Sequence, residues 1–306
     1  MDFGGKLITS TLRSLARFAR GFLTYMRLNT KTMVGSVAFF SLIALAALEP
    51  SINYILLSGH SPTEMGLFER TLLPSFEHPL GTDATGRDLL SLVLAGLRFS
   101  MIIAVISGSV ATLMAVSVAF LAGYKGGIYD HILRSVTDTI LVIPIYPIAA
   151  IAAAYVRRID LFTMSMFLAV LTWPWAARTI RAQILTLKEM VYVDLAKISG
   201  LSDYGIMFRE ILPNLLPFIV VGFGNALMGS LFIETGLRLI GLGPTEIMTL
   251  GMLVNLLINW GFLSLGRYSP IVVTTFLLVL IFVSVNLLNI GLDEVFNPRL
   301  KKVTGL

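Results

Sequence analysis

Three sets of residues have types and spacings that could do chemistry. Asp83, Arg87 and Asp88 put two carboxylates and a guanidinium within six positions, a grouping that suits acid–base work or a divalent cation. Asp138 and Glu234 stand in otherwise apolar stretches, where an ionisable group usually faces a cavity or a partner. His60, His78 and His131 are scattered, without the spacing of a metal site. The chain has no cysteine, which excludes a thiolate metal site, a cysteine nucleophile and a disulfide. The glycine cluster 123–127, Gly-Tyr-Lys-Gly-Gly, lacks the Gly-x-x-x-x-Gly-Lys-Ser/Thr spacing of a phosphate loop. Structural readings are favoured throughout. Gly81 and Gly86 shape turns, and Asp88 caps a helix entering Leu89. Asp138 pairs with Arg134 one turn earlier, and Glu234 helps to close one face of the molecule. No nucleophile–base pair and no ligand set emerges, so no catalytic, cofactor or metal site is expected.

The elements that carry these residues are apolar. Of 306 residues, 56% are hydrophobic and only 13% charged, with mean hydropathy +0.84. That is about half the charged share of a soluble domain, so most of the surface must face lipid or other helices. The composition excludes a cytosolic enzyme and a disordered chain. An all-α polytopic membrane protein is expected, because only helices or closed barrels satisfy the backbone in lipid. Six segments approach the ~20 apolar residues a crossing needs: 32–48, 101–124, 133–156, 162–180, 211–232 and 271–292. Pro144, Pro147 and Pro174 fall inside the third and fourth and mark places where a helix can bend.

The net charge of +5 is read as membrane topology rather than nucleic-acid binding. With the N-terminus inside, sixteen of the twenty-three Lys and Arg lie in inner segments and seven in outer ones, which favours both termini in the cytoplasm. The Arg157-Arg158 pair is a local exception. Within 1–31, Leu12, Leu15, Ala19, Phe22 and Met26 share one helical face, and Arg13, Arg17, Arg20 and Arg27 the other. This reads as a cytoplasmic amphipathic segment on the inner leaflet. Ala44-Leu45-Ala46 looks like a signal cleavage site, but the basic region before it is long and five spans follow. The transmembrane body is expected over 32–292 and a cytoplasmic tail over 293–306.

Three segments are too long for turns: an outer loop over 50–99, an inner one over 178–209 and an outer one over 234–270. In the inner loop Leu187, Val191, Leu195 and Ile198 recur at helical spacing. Gly200 ends that helix and Ser202 caps the next. Two short helices joined by a glycine suit a groove on a partner; the same pattern also fits a helix lying on the membrane or on its own bundle. Trp173 and Trp175 are candidates for lining a solute path, though aromatic residues at membrane surfaces are as common.

The inner loop resembles the coupling loop of ATP-binding cassette importer permeases, whose pattern is Glu-Ala-Ala, a glycine and then Leu-Pro-Asn. Here the pattern reads Asp194-Leu195-Ala196, Gly200 and Leu212-Pro213-Asn214, with Glu210 where relatives often have histidine. The run His78-Pro79-Leu80-Gly81-Thr82-Asp83-Ala84-Thr85-Gly86-Arg87-Asp88 is similar to the signature of the second permease subunit of the dipeptide, oligopeptide and nickel family. Glu234 to Leu237 with Gly241 and Gly243 resembles a further family segment; Arg238 and Ile240 replace its usual Ser and Leu. Asn297-Pro298-Arg299-Leu300 fits as well. The resemblance covers about residues 31–302. It implies half of a translocation pathway, paired with a second related permease subunit. It also implies two ATPase subunits that bind ATP and Mg, and an extracellular solute-binding protein. The solute would be a peptide or, as the alternative, an oligosaccharide. ATP hydrolysis would belong to the partners, and the loop from Leu187 to Asn214 would receive their force.

Overall fold

The computed structural model describes residues 29–155, 160–244 and 247–296. The amphipathic reading of the N-terminal segment, the Arg157-Arg158 pair and the Asn297-Pro298-Arg299-Leu300 match lie outside them. Among the described residues every regular element is helical: α1 (Thr30–Leu56), α2 (Leu89–Phe120), α3 (Gly127–Val142), α4 (Ile145–Tyr155), α5 (Leu161–Leu187), α6 (Val191–Ile198), α7 (Asp203–Ile206), α8 (Leu212–Leu239), α9 (Leu250–Asn259) and α10 (Ser269–Phe296). Single π-helical turns at Leu121–Lys125 and Met207–Ile211 extend α2 and lead into α8.

Four helical stretches are long and apolar enough to cross a membrane, and the bent pair α3–α4 makes a fifth if it is one span. The expected six is therefore approximate. α5 has the length, but Thr, Ser, Trp and Pro interrupt its apolar run. Three boundaries differ from expectation. The first helix does not stop at Glu49-Pro50 but passes through Pro50 to Leu56. The third span is broken, with α3 and α4 bent by 86°. Ile143 at the break is extended, with ψ 129°, because the ring of Pro144 disfavours helical geometry in the residue before it. α5 continues unbroken through Pro174 to Leu187, so the link to α8 covers only 188–211.

α2 is the central helix and packs along α1, α5, α8 and α9. It can be surrounded because small residues let neighbouring backbones close in. A Cβ added to Gly108 would stand 3.2 Å from the Leu227 backbone of α8, and one at Gly96 would stand 3.2 Å from the Leu250 amide of α9. α10 closes on α1 in the same way at Gly35, and the Lys31–Glu294 ion pair (2.5 Å) ties their ends. Four separate apolar clusters draw on α2, from Leu89 at its start to Phe120 at its end.

Candidate functional site

The connection 188–211 is held at the foot of the bundle. α6 ends in a Schellman arrangement. The Leu201 amide donates to the Ala196 carbonyl (3.1 Å) and the Gly200 amide to the Lys197 carbonyl (3.0 Å), with Gly200 at φ 78°. Ser202 accepts the Gly205 amide at 3.2 Å and so caps α7. One side of this unit seals on the bundle through Val193, Ala196, Ile206 and Ile211, which join the cluster around Ala115, Trp173 and Ile180. The other side leaves Val191, Leu195 and Ile198 exposed, Ile198 at 84%, with Tyr204 and Phe208 beyond them. Leu187 does not belong to that outer face. It closes α5 and packs partly buried against the core, so the four-residue stripe expected from periodicity is corrected to three. Asp194 is exposed and pairs with Lys197 (3.0 Å). Pro213 occupies the first turn of α8, where its missing amide is not needed. Asn214 donates to the Glu210 carbonyl (2.7 Å) and to the Tyr192 hydroxyl (3.4 Å). Burial pushes the Tyr192 phenol above its ordinary pKa.

Two contacts that the sequence did not reveal tie this unit to α2. The Tyr124 hydroxyl donates to Asp203 at 2.9 Å, and the Lys188 ammonium donates to the Gly123 carbonyl at 3.2 Å. They border a cleft of about 770 Å³ that Lys125, Glu189 and Lys197 also line. Partners 79 residues apart leave no periodic signal, so only the fold brings them together.

The opposite end of α2 carries the other motif. Asp83 is fully buried. Its Oδ1 accepts the Thr85 amide and hydroxyl (2.7 Å each) and the Arg87 amide (3.0 Å), and its Oδ2 accepts the Arg87 guanidinium (2.6 Å). The Arg87 guanidinium lies 5.6 Å from the Trp260 ring centre. Asp88 accepts the Ser91 amide at 2.8 Å, which caps α2, while its other oxygen meets His78 Nδ1 at 2.8 Å. Thr82 bonds back to Glu69 and Leu72. Gly81 and Gly86 both take φ 78°, and a Cβ at either would run into a carbonyl, of Leu72 and Phe68 respectively. With its oxygens so engaged, Asp83 orders a turn and leaves no room for acid–base work.

Glu234 is also structural in its contacts. It pairs with Arg238 one turn on (3.1 Å) and accepts the Thr249 hydroxyl (2.6 Å), all three buried. Arg238 reaches the Pro244 and Ile247 carbonyls as well, so the connection that turns at Gly241 (φ 80°) and Gly243 (φ 112°) is held down onto α8. The i,i+4 spacing of Glu234 and Arg238 was the available signal for this pair. A second polar set, in which buried Glu49 meets the partly exposed Arg98 (3.0 Å) and buried Asn53 (2.6 Å), joins α1 to α2 and was not anticipated. Asp138 meets Arg134 at 3.5 Å as expected, whereas Asp130 holds Arg181 through two bonds of 2.5 and 2.6 Å.

The tryptophans separate. Trp175 is 61% exposed, but Trp173 is buried among Ala111, Ala169 and Ala226 and is core, not path lining. Both neighbours of that stretch are apolar, so periodicity alone could not say which ring faces inward. Among the described residues, no group of three or more His, Asp or Glu could hold a metal ion.

Residues 115–302 match the family described as the binding-protein-dependent transport system inner membrane component. Over 278 residues the chain is 28% identical to the dipeptide transport system permease protein DppC of Bacillus subtilis, covering 90% of this chain and 84% of that one. It is 31% identical over 238 residues to the glutathione transport system permease protein GsiD of Pectobacterium atrosepticum (74% and 75% covered). It is 30% identical over 194 residues to the oligopeptide transport system permease protein OppC of Lactococcus lactis (63% and 66% covered).

Proposed function

The chain belongs to the family of binding-protein-dependent transport system inner-membrane components, and from that premise we propose that it forms half of a peptide-conducting pathway and takes its driving force through residues 188–211. It is a multi-pass membrane permease subunit and not an enzyme. ATPase and solute-binding subunits act with it, and hydrolysis belongs to the ATPases. In the proposed assembly it pairs with a second, related permease above two ATPase subunits, with both termini in the cytoplasm. The relatives named for dipeptide, glutathione and oligopeptide transport support a peptide as the solute.

One observation carries the coupling reading. α6 buries Val193 and Ala196 against the bundle yet leaves Val191, Leu195 and Ile198 open. A helix resting on its own bundle would bury its largest apolar side chains first, since each is worth ~1.5–3 kcal/mol when covered. The open side is thus the part that an ATPase groove would cover. Leu195→Asp places a charge in that contact, and an unpaired buried charge costs several kcal/mol. The ATPase subunits should then fail to copurify while the permease still inserts at wild-type level. An unchanged complex would refute the docking role. Uptake of labelled peptides, set against labelled oligosaccharides in reconstituted vesicles, tests the solute.

A further inference from the structure

Near the far end of α2, where the α6 unit is tied, α2, α3 and α5 leave a crevice of about 390 Å³ between them. Small side chains make room for it. Ala119 and Ala122 at the end of α2 and Ala177 of α5 are buried in its walls, with Leu133 of α3 and Leu185 of α5 beside them. Thr137 is buried there too, but its hydroxyl already donates to the Leu133 carbonyl (2.7 Å), so it presents no spare donor. Three guanidiniums line the same crevice, those of Arg134, Arg178 and Arg181. Arg181 is fixed by two bonds to Asp130 (2.5 and 2.6 Å), which pin α5 to α3. Arg134 meets Asp138 at 3.5 Å, with the two side chains 64% and 44% exposed, and so exposed a pair is worth little. Arg178 is exposed, and among the described residues its side chain has no ion-pair or hydrogen-bond partner. Two carboxylates thus answer three guanidiniums, and one positive charge is left over an apolar hollow.

We propose that this crevice holds the phosphodiester headgroup of an anionic phospholipid. Arg178 binds the phosphate together with Arg134 turned away from Asp138, and the start of an acyl chain lies against Ala119, Ala177 and Leu185. At 1.5 Å per residue the 32 residues of α2 measure about 48 Å, against the ~30 Å of a hydrocarbon core. Its last turn, where the crevice lies, therefore falls at headgroup level. Basic pockets between spanning helices suit anionic headgroups, and a guanidinium fork matches two phosphate oxygens at once. The surplus of one charge equals the single charge of phosphatidylglycerol. A zwitterionic headgroup would bring its own cation up to Arg178, and a free phosphate would gain nothing from the apolar walls. The proposal goes beyond the coupling reading: it needs the foot of α2 at a membrane surface, not an ATPase beneath it.

The test uses the complete transporter in nanodiscs doped with phosphatidylglycerol that carries a photoactivatable group near its headgroup. After irradiation, peptide mapping should place the label within residues 118–138 or 177–185 of this chain. Phosphatidylcholine carrying the same group should label there about tenfold less, and so should phosphatidylglycerol with the Arg178→Gln variant. Arg178→Lys keeps the charge without the fork and should fall between. Arg209→Gln removes another exposed arginine at the same pole and should leave the labelling unchanged. Equal labelling by the two lipids would reduce the crevice to ordinary contact with the bilayer. Equal loss in Arg178→Gln and Arg209→Gln would reduce it to a general attraction between anionic lipid and a basic surface. Either result overturns the proposal. So does displacement of the probe by inorganic phosphate, which would make the ligand a free anion, or by a transported peptide, which would make the crevice part of the solute path. The comparison of the two lipids needs no variant, so it decides the matter even where Arg178→Gln fails to assemble.

Discussion

Gly200 shows how much a single backbone angle can decide. Its φ is 78°, and a Cβ there would have no neighbour within 4 Å, so the demand is conformational and not steric. A side chain in this left-handed region costs ~1–2 kcal/mol, more if β-branched. Asparagine tolerates the region better than other residues. Gly200→Val should therefore lower solute uptake about tenfold, the effect of such strain on a docking equilibrium. Gly200→Asn should stay close to wild type, and immunoblots should show both variants inserted equally. Equal uptake by both would mean that the turn carries no force. This turn was legible in the sequence because a Schellman end and a serine cap involve residues within a few positions of each other. Asp88 as the cap of α2 was legible for the same reason. Trp173 and Leu187 were not, since the choice between core and surface is made by helices far away in the chain.

Among the helices, close approach is rationed by glycine. At Gly108 a Cβ would stand 3.2 Å from three Leu227 atoms, two of them backbone, and cannot be accommodated unless α2 and α8 move apart. At Gly222 it would meet the Ala176 methyl at 3.6 Å, an ordinary contact. Both glycines lie inside helices, where alanine is otherwise favoured by about 1 kcal/mol. Gly108→Val should destabilise by about 1–3 kcal/mol through overpacking, and Gly222→Ala should be neutral or stabilising. Thermal unfolding of the purified complex in detergent ranks the two, and the reverse order would contradict this packing. The number of apolar segments was legible in outline, because composition marks lipid-facing helices. Their ends were not. Pro50 and Pro174 are absorbed within helices, whereas Pro144 stands at the break between α3 and α4, and a proline in a sequence does not say which outcome its neighbours will enforce.

At the scale of the whole molecule, α2 sets the polarity. Its 32 residues span about 48 Å at 1.5 Å per residue. Asp88 caps its start, just after the loop of residues 66–86, and the α6 unit is tied to its far end through Tyr124 and Gly123. Whichever pole faces the cytoplasm, the other must face outward, so one labelling experiment fixes both. The proposed orientation has the α6 pole inside, in line with the expected bias of sixteen Lys and Arg against seven. Glu77 in the loop before α2 and Glu189 beside α6 are exposed, and each can be changed singly to cysteine in a chain that has none. A membrane-impermeant maleimide applied to intact cells should modify Glu77→Cys at once and Glu189→Cys only after permeabilisation. The opposite pattern would turn the molecule over. The α6 surface would then be outside, beyond reach of a cytoplasmic ATPase.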